Sequence, residues 1–113
     1  MADIIYVNVE EGIKRVMNNA KLYAKLLTKF KNDTNLSSMK EALNTGDLQK
    51  AQINAHTLKG LAANLSLTEL YKQSLEIETQ VKAGSVNPDQ LATLEKINEQ
   101  TLVEVEKVIA QYG

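Results

Sequence analysis

The chain has no cysteine, one proline, five glycines and one histidine in 113 residues. Without cysteine, disulfides and thiolate metal sites are excluded. No apolar stretch approaches the ~18–20 residues of a membrane span, and the acidic residues near the start, Asp3 and Glu10, do not fit a signal peptide. The chain is therefore expected to stay out of the membrane and to be cytoplasmic. Lysine and arginine form no run, and the formal net charge is −1, so nucleic-acid binding lacks its electrostatic basis. Glycine-rich nucleotide loops of the Gly-x-x-x-x-Gly-Lys or Gly-x-Gly-x-x-Gly kind are missing too. A kinase activity of its own is not expected, because an ATP-binding domain would not fit in this length. A single histidine also cannot supply the two Glu-x-x-His motifs of a di-metal carboxylate bundle.

With 43% hydrophobic and 24% charged residues, the composition is that of a globular chain with room for one core. One domain over residues 1–113 is expected. Scarce proline and glycine, with Ala/Leu/Lys/Glu/Gln-rich segments between them, point to an all-α protein. A short helix is expected from about Asn8 to Met17, capped by Asn8 with Glu11 three residues on. From about Asn19 to Asn44 the pattern fits one bent helix or two, because Asn32-Asp33-Thr34-Asn35 are poor helix formers. Thr45-Gly46-Asp47 ends that segment and caps the next, which runs from about Leu48 to Leu65. Ser66-Leu67-Thr68-Glu69 has the form of a capping box with Leu65 and Leu70 as its staple. The helix it opens extends to about Lys82 and stops at Gly84. Asn87-Pro88 starts the last helix, stapled by Val86 and Leu91. Short connections favour antiparallel neighbours, so the expected architecture is an up-down-up-down four-helix bundle with a short extra N-terminal helix.

The lone histidine lies in Ala55-His56-Thr57-Leu58-Lys59-Gly60-Leu61-Ala62-Ala63-Asn64-Leu65. Leu48, Ala51, Ala55, Leu58, Ala62 and Leu65 form a seam with helical spacing. His56 falls one residue past it, so its ring should point to the bundle's edge. Around it on the same face come Gln52, Lys59, Gly60 and Ala63. A mid-helix glycine costs about 1 kcal/mol relative to alanine, so Gly60 calls for a reason other than helix stability. A neutral imidazole nitrogen is a competent nucleophile near pH 7, since the free side chain has a pKa of about 6.5. Lys59, at i+3, is close enough to reach a group carried on the ring. Glu76 with Glu78, and Glu104 with Glu106, are spaced i, i+2 and read as solvated charges.

His56-Thr57-Leu58-Lys59-Gly60, followed by Ala63-Asn64-Leu65, resembles the phosphorylation motif of the histidine-containing phosphotransfer (HPt) domains of phosphorelays. Val9-Glu10-Glu11-Gly12-Ile13, Leu22 to Phe30 and Ala42 to Asp47 precede it in the family's usual order. One position departs: the family commonly has glycine after the Asn-Leu, where this chain has Ser66. The resemblance implies a phosphorelay intermediate, not a turnover enzyme. His56 would accept a phosphoryl group from a receiver-domain phosphoaspartate and pass it to another receiver. Lys59 would stabilise the phosphoryl group, and Gln52, Gly60 and Ala63 would meet the partner. Response-regulator receivers and a hybrid sensor kinase would be the partners of a monomer. The chain would need no cofactor, any Mg²⁺ being carried by the receiver. The competing expectation is a non-catalytic helical adaptor that binds a receiver or kinase without carrying phosphate.

Overall fold

The computed structural model describes residues 4–113; Met1 to Asp3 of the expected 1–113 domain lie outside the described residues. All regular structure among the described residues is helical: α1 (Val9–Arg15), α2 (Ala20–Lys31), α3 (Asn35–Thr45), α4 (Leu48–Asn64), α5 (Thr68–Lys82) and α6 (Pro88–Tyr112). The 19–44 segment is thus two helices. Asp33 takes the Asn35 backbone N–H on its carboxylate at 3.0 Å, a side-chain turn that competes with helix continuation. Three of the expected caps form: the side chains of Asn8, Asp47 and Asn87 accept backbone N–H groups from Glu11, Lys50 and Asp89, and Asn19 caps α2 in the same way through Leu22 N–H. α1 is shorter than expected because Met17 and Asn18 turn into the left-handed region.

α4 packs against α3 and α5, and α6 packs against α5 and α2. Tyr23, Leu27, Met39, Leu58, Leu67, Leu70, Ile77, Leu94 and Val105 form the fully buried centre. The seam of α4 faces it through Ala51, Ala55, Leu58 and Ala62, with Leu65 just beyond the helix. Leu48 does not belong to that seam: it lies in the first turn and is exposed. α1 is held at one end of the assembly. Its Gly12 is buried against α2, and a Cβ there would run into the Tyr23 ring. The Tyr23 hydroxyl donates to the Leu65 carbonyl at 2.6 Å. Burial, helped by the negative charge of Glu11, pushes that phenol up to about 12.

Ser66 does not cap α5. The α5 N-cap is Leu67, with no side-chain cap bond, and Ser66 has a φ of +58°. Two backbone bonds explain why. Leu67 N–H reaches the Ala62 carbonyl at 2.9 Å, and Ser66 N–H reaches that of Ala63 at 3.3 Å. These are the paired bonds of a Schellman motif, in which the left-handed residue just past the helix end is usually glycine. Ser66 therefore ends α4, and the family's habitual glycine at this position has a backbone reason. The buried Ser66 hydroxyl donates to Glu11 at 3.0 Å, and its carbonyl accepts the Asn8 N–H at 2.9 Å, which fastens α1 to the α4–α5 turn. The hydrogen bond from Ser66, then that from Arg15, holds the Glu11 carboxyl below its usual range.

This geometry reverses the helix-propensity order at position 66. Ser66→Gly relieves the left-handed strain and loses one hydrogen bond, whereas Ser66→Ala keeps the strain and loses the same bond. Urea melts should find the alanine variant about 1 kcal/mol less stable than the glycine variant. Equal midpoints, or a more stable alanine variant, would contradict the left-handed assignment.

Candidate functional site

His56 leaves the bundle because Ala55, one position before it, is the residue facing the core. The imidazole is 70% exposed, yet one of its nitrogens is fixed: Nδ1 lies 2.8 Å from Oε2 of Glu78. The Glu78 side chain is only 4% exposed. Its other oxygen, Oε1, accepts from the Lys59 ammonium at 2.8 Å, and the Lys82 ammonium is 3.6 Å from that same oxygen. Burial by itself pushes the Glu78 carboxyl up. Hydrogen bonds from Lys59 and His56, with the charges of Lys59 and Lys82, together outweigh burial and bring it below its ordinary value.

An ionised carboxylate is acceptor-only, so the nitrogen facing it must be the donor. Glu78 therefore selects the Nδ1–H form of the neutral ring and leaves the lone pair on Nε2. Nε2 makes no hydrogen bond within the described residues. The outcome is an oriented, exposed ring whose Nε2 keeps an unshared lone pair.

One sequence expectation needs correction. Glu78 is not a solvated charge; that description fits Glu76, which is exposed and accepts from Gln80. Lys59 is brought beside His56 as expected, with its side chain 21% exposed and engaged with Glu78. A signal for Glu78 was present in the sequence. The buried stripe of α5 runs Leu70, Ser74, Ile77, Val81, and Glu78 stands on it, four residues past Ser74. α4 and α5 fold back on each other about Leu67, and His56 and Glu78 each lie 11 positions from it (67 − 56 and 78 − 67). In a helical hairpin such residues come level.

The other expected site residues fall around the ring. Gln52 is exposed one turn before His56, and Ala63 is half-buried two turns after it. Gly60 has nothing within 4 Å of the position a Cβ would take, so no neighbouring helix requires it. An open groove of about 630 Å³ runs between α2 and α4, lined by Leu26, Phe30, Leu61 and Leu65 with Arg15 and Lys29 among its polar residues. Leu61 and Asn64 border it from α4, which sets the groove beside the His56 face and not on it. No cluster of three or more His, Cys, Asp or Glu side chains among the described residues is placed to hold a metal ion.

A sequence model described as the Hpt domain matches residues 26–107, a span that includes His56, Lys59, Gly60, Glu78 and Lys82. No curated protein and no solved structure gives a significant match to the chain.

The depressed Glu78 carboxyl has a consequence for stability against pH. The unfolded chain, with its carboxyl at the ordinary 4.5, takes up this proton before the folded one does. The contribution of Glu78 is therefore complete above that value and is lost as pH falls through the lower folded value. As pH falls through 4.5 and below, the wild type should lose stability more steeply than Glu78→Gln, although the variant starts lower at pH 7. Acid limbs of equal slope in thermal melts would contradict the buried, ionised assignment.

Proposed function

The chain belongs to the Hpt domain family, which serves phosphotransfer in phosphorelay signalling, and we propose that its phosphoacceptor is His56. Nε2 attacks the phosphorus of an aspartyl phosphate on a receiver domain. A N–P bond forms, the P–O bond to the aspartate breaks, and the receiver's carboxylate leaves with the electron pair. The proton on Nδ1 stays where it is. Glu78 neutralises the positive charge that develops on the ring, so no proton has to move to a distant base. Transfer to a second receiver is the same step reversed. Phosphoryl transfer asks for positioning and charge more than for covalent chemistry from the protein, and those are what the cluster around Glu78 supplies.

One observation carries this reading: an exposed imidazole held at Nδ1 by a buried carboxylate, with Nε2 open, inside the matched span. Lys59 keeps Glu78 ionised and lies beside the incoming phosphoryl group. Gln52, Gly60 and Ala63 form the landing surface for the receiver, and the α2–α4 groove extends it with apolar area. A hybrid sensor kinase and a response regulator are the proposed donor and acceptor, with any Mg²⁺ carried by the receivers. We take residues 1–113 as one monomeric domain, and its long helices as an up-down-up-down bundle, on the strength of the short connections and the helix pairings. No described helix is long and apolar enough to cross a membrane, and a cytoplasmic location follows from where receivers work.

His56→Gln should fold as the wild type does and take no phosphoryl group from a phosphorylated receiver. The measurement is acid-labile, base-stable label on the protein, and label persisting on the variant would remove His56 from its role. An adaptor that carries no phosphate predicts an unlabelled wild type that still binds the receiver.

Gly60 should separate stability from function. Gly60→Ala should stabilise by up to about 1 kcal/mol, since alanine favours helix and restricts the unfolded chain. Gly60→Gln should keep most of that gain and still lower phosphotransfer, because its side chain obstructs the receiver one turn from His56. Thermal melts run beside transfer assays decide the matter. A destabilised Gly60→Ala, or full transfer by Gly60→Gln, would refute the clearance role.

A further inference from the structure

Two ammonium groups converge on the single carboxylate of Glu78, and they are not equivalent. Lys59 hydrogen-bonds Oε1 at 2.8 Å and is 21% exposed. Lys82 stands 3.6 Å from that oxygen, outside hydrogen-bond range, and is 55% exposed. With a neutral imidazole, the cluster of His56, Lys59, Glu78 and Lys82 carries one negative and two positive charges. One cation is enough to balance the buried carboxylate, and Lys59 already fills that place. Removing Lys59 from Glu78 would strand a charge inside the hairpin, which is expensive. Moving Lys82 costs little, because water already solvates it.

Position completes the argument. Lys82 follows Glu78 by one turn on the same face of α5. Across the hairpin it comes level with Gln52, since both lie 15 positions from Leu67 (82 − 67 and 67 − 52). Lys59 lies on the other side of His56, toward the turn. The ring is thus bracketed by two lysines, one hydrogen-bonded to Glu78 and one in a looser, more exposed ion pair with it.

We infer that Lys82 is the cation that pairs with the phosphoryl oxygens on His56, while Lys59 remains on Glu78 and acts as a positioning residue. The inference rests on His56 being the phosphoacceptor. When the group arrives on Nε2, the surplus positive charge of the cluster meets it, and the flexible Lys82 arm swings from the edge of Glu78 to the phosphoryl oxygens. Phosphorylation then rearranges one exposed side chain and leaves the buried pair intact.

The test uses phosphoramidate, a small donor that needs no receiver. Nε2 forms the N–P bond, and the donor's own P–N bond breaks with its electron pair leaving on ammonia. The full chain is labelled and the phosphohistidine signal followed by ³¹P NMR in the wild type, His56→Gln, Lys82→Ala, Lys82→Arg and Lys82→Glu. Lys82→Ala should label roughly two- to fivefold more slowly, the scale of one exposed charge pair, with an unchanged melting temperature. Lys82→Arg should restore the rate, Lys82→Glu should lower it further, and added salt should bring the wild type toward Lys82→Ala. Wild-type labelling rates in Lys82→Ala, or the same loss in Lys82→Arg, would overturn the assignment of Lys82 while leaving His56 as acceptor. A wild type without label on His56, or a labelled His56→Gln, would overturn both.

Discussion

Glu78 carries its charge into the interface between α4 and α5, and the arrangement around it follows from keeping that charge ionised away from water. An isolated buried carboxylate would simply take up a proton. Here the Lys59 ammonium and the His56 Nδ1–H each occupy one of its oxygens at 2.8 Å, and the carboxyl titrates below its ordinary value in spite of burial. The same bonds that keep Glu78 ionised hold the imidazole in one orientation. The acid is thus the hub that fixes the orientation and the tautomer of an exposed ring.

Stability alone does not explain such a hub. A buried ion pair seldom stabilises a fold better than apolar side chains of the same volume, and the neighbouring stripe of α5 shows what would pack there: Leu70, Ile77 and Val81 are all buried. Placing a carboxylate on that stripe sacrifices some packing for control of a histidine on the next helix. The rest of the bundle supports that exchange. The Schellman turn at Ser66 and the Tyr23 bond to Leu65 fix the α4–α5 connection, and the register of that connection decides whether His56 and Glu78 meet. Gly60, by contrast, contributes nothing to packing. The surface one turn from the His56 ring is open there.

The helices and most of their caps were legible from sequence because each rests on local chemistry: Asn8, Asp47, Asn87 and Gly46 act within a turn of where they stand. His56 was legible for the same reason, one step off an apolar seam. Ser66 misled because Ser-x-x-Glu before an apolar run is a capping signature, while the left-handed turn that competes for the same residue is set by the Ala62 and Ala63 carbonyls behind it. Glu78 was missed because a charge on an amphipathic helix is ordinarily solvated. Its burial depends on a partner 22 residues away (78 − 56), and only the hairpin register exposes that pairing. The ion pair of Lys59 was not legible for the same reason, since it depends on Glu78.

The central claim is that Glu78 holds the proton on Nδ1 and leaves Nε2 as the reactive atom. Long-range ¹H–¹⁵N correlation NMR of the His56 ring at a pH where it is neutral measures this directly, through the distinct shifts of a protonated and an unprotonated ring nitrogen. The account predicts a protonated Nδ1 and a bare Nε2 in the wild type, with the preference lost in Glu78→Ala. A wild-type ring carrying its proton on Nε2, or an identical tautomer balance in Glu78→Ala, would contradict it.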